Sequence, residues 1–325
     1  MSFFDDPPRD PEGASGPPAN EAPGDPTTLA PAAFEAQRPG MGGESGAAIP
    51  APDPIPADLQ ITWSWAHFLI FGIFAFISFI FVDFVILMLN APPAKLPAKE
   101  LEQYYMSKPM VPIGIMLGWY AAIFLFLFVT LSVLEGHSFW KSLGWRKLVK
   151  RAGEMSIHPA LYFVAGCGLS LFVAIASAQV EKPEHLPIEE MFKQRRAAFM
   201  FLAMAVIVAP MVEETLFRGY LYPSLARFGA FILRRAGLEE SVALRWGVGA
   251  SIAVTGMLFG LMHGMQLGWT WGLVSMLVLV GVVLTIVRAR TGSVFASYMM
   301  HLGYNSFIAI FAILGTHGFT KLPGQ

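Results

Sequence analysis

The sequence predicts an all-α fold: a polytopic transmembrane helix bundle of about seven spans behind a disordered N-terminal tail. The first observation is composition. Of 325 residues, 55% are hydrophobic, 13% aromatic and 14% charged, and the mean hydropathy is +0.55, far more apolar than an ordinary water-soluble domain. The second is segmentation: runs long enough to cross the hydrocarbon of a bilayer, which takes about 20 apolar residues, recur over 61–89, 112–134, 160–180, 198–228, 246–266, 270–288 and 293–315. The third is contrast. Residues 1–57 are rich in Pro, Gly, Ala, Asp and Glu and poor in large apolar side chains, so they cannot bury enough surface to offset chain entropy.

The chain thus divides into a tail (1–57), a first set of transmembrane helices (58–196), a second set that carries charged motifs (197–315) and a short C-terminal tail (316–325). The fourth span is the least regular, and a break is expected near Gly219 or Pro223. Basic residues collect after the second span (Lys141, Arg146, Lys147, Lys150, Arg151), the fourth (Arg227, Arg234, Arg235, Arg245) and the sixth (Arg288, Arg290). The positive-inside rule puts those loops and the N-terminus in the cytoplasm of an integral membrane protein, in a bacterial inner or plasma membrane. One loop dissents, with Lys182, Lys193, Arg195 and Arg196 accompanied by four glutamates.

A net charge of -1 with scattered basic residues gives nucleic acid no electrostatic footing. A single cysteine, Cys167, excludes a disulfide framework or a thiolate cluster and reads as helix packing. No basic region followed by an apolar core opens the chain, so no cleaved signal is expected, and Leu322-Pro-Gly-Gln325 offers no cysteine to prenylate. His67, His137, His158, His185 and His317 fall near helix ends or in loops and read as solvated or interfacial. Asp83 reads as near an interface, and most tryptophans as an aromatic belt.

The chemistry concentrates in three apolar runs. An ionisable group at bilayer depth is costly unless it is paired or faces a polar cavity. Glu213-Glu214-Thr-Leu-Phe-Arg218, Phe259-x-x-x-His263 and His301-x-x-x-Asn305 place such groups in three helices, at depths of roughly 15 to 25 Å. Glu214 and Arg218, four apart, share a helix face and can pair, which leaves Glu213, about 100° away, as a carboxylate for proton transfer. The alternative is that all three form an ion network that locks packing. Gly256, Gly260 and Gly264 form a small-residue stripe that lets a neighbouring helix approach beside His263, which could equally be an interhelical link. His301 and Asn305 project from one face and can donate to an oxygen that becomes negative, or serve as packing glue.

The three motifs in this order resemble the CPBP family of intramembrane endopeptidases, named for CaaX proteases and bacteriocin-processing enzymes and also called Abi. The match is Glu-Glu-x-x-x-Arg at Glu213, Glu214 and Arg218, Phe-x-x-x-His at Phe259 and His263, and His-x-x-x-Asn at His301 and Asn305, covering about residues 197–315. The resemblance implies glutamate-dependent hydrolysis of peptide bonds in membrane-associated or prenylated CaaX-type substrates. Glu213 would be the general base, holding and activating water with His263, while His301 and Asn305 stabilise the oxyanion; Glu214, Arg218 and Phe259 support them. No cofactor is expected. A zinc version would use Glu213, His263 and His301 as ligands, but the chain lacks His-Glu-x-x-His. The competing class is a non-enzymatic scaffold, immunity or transport-associated protein that keeps the polar cluster for helix association. The expected partners are the lipid bilayer and a membrane-associated peptide or protein substrate, and the oligomeric state is left open.

Overall fold

The structure, a computed structural model, describes residues 55–93, 95–148, 157–181, 183 and 186–320; residues 1–54 of the tail expected over 1–57, His185 and the last five residues lie outside these. Among the described residues there is no strand. Seven helices are long and apolar enough to cross a membrane: α1 (Trp65–Leu89), α2 (Met110–Leu134), α3 (Pro159–Ser177), α4 (Arg195–Arg235), α5 (Glu240–Met262), α6 (Trp271–Thr291) and α7 (Val294–Gly315). Their ends follow local chemistry. Ser64 and Ser293 accept backbone N–H bonds at the starts of α1 and α7, His158 does so before the Pro159 that opens α3, and Gly292 closes α6 with φ of 67°.

The expected break in the fourth span does not occur. α4 runs 41 residues and contains two π-helical segments, Met204–Val208 and Thr215–Leu221. Each lies just ahead of a proline, Pro210 or Pro223. A proline lacks an N–H and crowds the carbonyl four residues back; the wider π turn removes that conflict. Accordingly the N–H of Ala209 bonds Met204 O and that of Tyr222 bonds Phe217 O, both five residues back. α5 ends at Met262, earlier than its apolar run suggests, and the chain turns through Gly268 and Trp269, both with positive φ.

The most extensive helix pairing that holds the second set is α3 against α7. It is reciprocal: a Cβ on Gly166 would overlap the Met300 carbonyl, and one on Gly303 would overlap that of Phe163. α5 meets α6 through the expected stripe, Gly256 facing Val282 and Gly260 facing Val278, whereas Gly264 lies past the helix end against the Trp269 ring. α1 packs chiefly on α2 and leaves most of its apolar surface outward, as lipid contact allows.

Two side chains expected at an interface are instead tied into the bundle. His67 contacts the Tyr220 hydroxyl through Nδ1 and Thr130 Oγ1 through Nε2, both at 2.8 Å. Trp63 is buried, stacks on Tyr220 and donates to Ser224 Oγ at 2.9 Å. The loops after α2 and α6 meet the segment before α1 at one end of the bundle. There Arg288 donates to Asp58 O at 3.0 Å, Arg146 to Ala57 O at 2.8 Å, and Ser293 Oγ to Arg146 O at 2.5 Å.

Gly303→Val should lower the thermal unfolding midpoint in detergent, because overpacking this contact costs at least ~1–3 kcal/mol. Gly168→Val, on the same α3 but with no atom close to the added Cβ, should leave the midpoint unchanged.

Candidate active site

Arg218 and Glu214 are fully buried on α4, with Arg218 Nη1 donating to Glu214 Oε1 at 2.8 Å. The rest of the guanidinium reaches α6: Nη2 donates to Gly281 O at 2.8 Å and Nε to Thr285 Oγ1 at 3.2 Å. From α5 the Phe259 ring lies under the cation, 4.6 Å from Cζ to the centroid. A buried charge pair is tolerable when its remaining donors are satisfied, and here the same contacts lock three helices together.

Glu213 occupies a different environment, with its side chain 15% exposed against none for Glu214. The Tyr120 hydroxyl of α2 donates to its Oε1 at 3.3 Å, and His301 Nε2 of α7 lies 3.8 Å from its Oε2. His301 is itself buried, and its Nδ1 sits 3.0 Å from Glu214 Oε1. The Glu214 oxygen is an acceptor, since Arg218 also donates to it, so His301 carries a proton on Nδ1 and its Nε2 faces Glu213. The helix spacing anticipated this division of the adjacent glutamates; the bridging by His301 it did not.

His263 lies one residue past α5, its Nδ1 2.8 Å from the Phe259 carbonyl. That carbonyl belongs to the last turn of the helix, where intrahelical partners run out. The N–H therefore sits on Nδ1, and Nε2 is left as an acceptor. Phe259 is the common wall, its ring centroid 4.9 Å from that of His263 and 5.6 Å from that of His301. Asn305, one turn beyond His301, donates from Nδ2 to Ala205 O at 2.7 Å, inside the first π segment of α4. One amide hydrogen is thereby engaged, and the second hydrogen and Oδ1 are left for other partners.

The structure thus brings Glu213, Glu214, Arg218, Phe259 and His301 into one cluster, with His263 against Phe259 and Asn305 anchored to the same helix as the glutamates. Of the ligands considered for zinc, Glu213 and His301 approach each other, but among the described residues no three His, Cys, Asp or Glu side chains form a group that would hold a metal. Sequence reasoning missed Tyr120, Thr285 and Gly281. Tyr120 carried one signal, a phenol in the middle of a span rather than at an interface.

Removing one partner of a buried pair strands the other. Arg218→Ala should therefore destabilise the protein by about 3–5 kcal/mol, more than the paired change Arg218→Met with Glu214→Gln, as thermal unfolding in detergent would read.

Residues 195–307 match the model of the family described as Type II CAAX prenyl endopeptidase Rce1-like, and this stretch holds all three motifs but not Tyr120. No curated protein and no solved structure matched the chain. With seven helices long and apolar enough to cross a bilayer, this is an integral membrane protein whose residues 195–307 are similar to the Rce1-like prenyl endopeptidases.

Proposed function

We propose that the protein is a glutamate-dependent intramembrane endopeptidase that cleaves membrane-associated, prenylated CaaX-type proteins or peptides. The observation that carries this reading is the asymmetry of the two glutamates. Glu214 is neutralised by Arg218 out of reach of solvent, while Glu213 remains partly exposed between Tyr120 and His301. A pure packing network would have no use for a second carboxylate left accessible to solvent.

In this reading the two hydrogens of the water go to two acceptors, the Glu213 carboxylate and His263 Nε2. Glu213 removes one proton as the water oxygen attacks the scissile carbonyl carbon. The resulting oxyanion is stabilised by the free amide hydrogen of Asn305 and by His301, which donates from Nε2 as an imidazolium while Nδ1 stays on Glu214. Collapse of the tetrahedral intermediate breaks the C–N bond, and Glu213 returns its proton to the leaving amine. Arg218 holds Glu214 in place as the acceptor for His301 Nδ1, and the Phe259 ring packs beside the guanidinium and both imidazoles. No cofactor enters these steps.

The clustering of Arg146, Arg288 and the segment before α1 at one end of the bundle, with the positive-inside rule, favours a cytoplasmic N-terminus and substrates that approach from the bilayer or its cytoplasmic face.

Glu213→Gln should lower hydrolysis of a prenylated CaaX peptide in proteoliposomes by at least ~100-fold, the usual scale for a lost general base, with an unchanged unfolding midpoint. Full activity in that variant would refute the assignment. Wild-type activity should survive exhaustive chelation, and the same peptide without its prenyl chain should be cleaved more slowly; equal rates would remove the lipid-modified substrate from the reading.

A further inference from the structure

We infer that Tyr120, on a helix outside the family match, is the positioning residue for Glu213. The inference rests on the reading of Glu213 as the base, and deepens it. Tyr120 is 7% exposed and lies mid-way along α2, and a buried phenol requires an acceptor. Its one hydrogen bond among the described residues goes to Glu213 Oε1.

The neighbours explain why the hydroxyl points there. Tyr120 packs in a small core with Ala209 and Val212, the residues of α4 that precede the glutamates, with Met116 and Trp119 beside them. Trp119 is in turn pinned by its indole N–H to Ala75 O at 2.9 Å. The ring is held by α2 and α4 together, and its polar tip ends on the carboxylate.

The two oxygens of Glu213 therefore differ: Oε1 accepts from the Tyr120 hydroxyl, while Oε2 faces His301 Nε2 at 3.8 Å without a hydrogen bond. A carboxylate on a flexible side chain is a useful base only if one lone pair is aimed at the water. A donor on one oxygen removes the freedom to rotate without neutralising the charge, as a cation would. The 3.3 Å separation is long for an O–H to carboxylate bond, as catalytic hydrogen bonds often are before substrate binds. Tyr120 touches Glu213 rather than the reacting atoms, so it should govern turnover more than affinity.

Tyr120→Phe removes the donor and keeps the ring. The expected result is a kcat lowered about tenfold or more, in line with losing a hydrogen bond to a charged group, with KM and the unfolding midpoint unchanged. A second readout does not use activity: the antisymmetric carboxylate stretch of Glu213, assigned by infrared difference against Glu213→Gln, should shift in Tyr120→Phe. If the variant is too unstable to purify, 3-fluorotyrosine placed at position 120, similar in size but a stronger donor, should move the same band. A wild-type kcat in Tyr120→Phe, or lost activity with an unmoved band, would overturn the inference. The separate failure of Glu213 as base would show as activity in Glu213→Gln, and would leave the infrared result standing.

Discussion

A guanidinium with no access to water sets the terms for the second half of this protein. Arg218 is buried in a bundle whose outer surface is lipid-facing, so it can be tolerated only if its donors find partners inside the protein. They find the Glu214 carboxylate on α4 and, on α6, the Gly281 carbonyl and the Thr285 hydroxyl. The face of the cation rests on Phe259 from α5. Displacing α6 from α4 would strand donors in a low-dielectric interior, a penalty much larger than the loss of an ordinary packing contact. The same interaction frees Glu213. With its neighbour committed to Arg218 and His301 held by that neighbour, the partly exposed carboxylate is left facing an oriented imidazole.

The irregularity of α4 serves this arrangement. The glutamates lie in a six-residue α-helical stretch, Ala209–Glu214, bounded on both sides by π segments. A π turn inserts residues without ending the helix and rotates the next turns relative to a regular α-helix. This lets one long helix pass two prolines and still aim Glu213 and Arg218 into different surroundings. The freed carbonyls need partners, and Ala205 O takes the Asn305 amide. That bond couples the third motif to the first through the backbone, so Asn305 has a structural attachment alongside its proposed part in stabilising the oxyanion.

Much of this was legible in the sequence because membranes impose strong constraints. Seven apolar runs became seven spans, since a helix must satisfy its backbone internally to cross hydrocarbon. The i to i+4 spacing placed Glu214 against Arg218 correctly, because that pairing is local. What escaped had a long-range or backbone cause. The break foreseen at Gly219 or Pro223 ignored the π turn, which depends on hydrogen-bond register and leaves no simple pattern. The Tyr120 contact joins residues 93 apart, and Thr285 and Gly281 are more than 60 residues from Arg218; nothing in periodicity links such positions. His67 misled for a related reason, since a histidine near a helix end looks solvated unless its partners on two other helices are known.

The first half of the chain carries no motif, yet it controls the geometry of those that do. His301 sits on α7 between Met300 and Gly303, residues that pack directly against Gly166 and Phe163 of α3. The position of the imidazole therefore depends on a glycine contact with a helix outside the matched stretch. Glu213 likewise takes a hydrogen bond from α2. Residues chosen for chemistry must keep their identity, whereas residues that place them need only preserve shape or supply one donor from the right direction. The three motifs all fall within 195–307, while the contacts that place them come also from α2 and α3, whose sequences read as generic membrane spans.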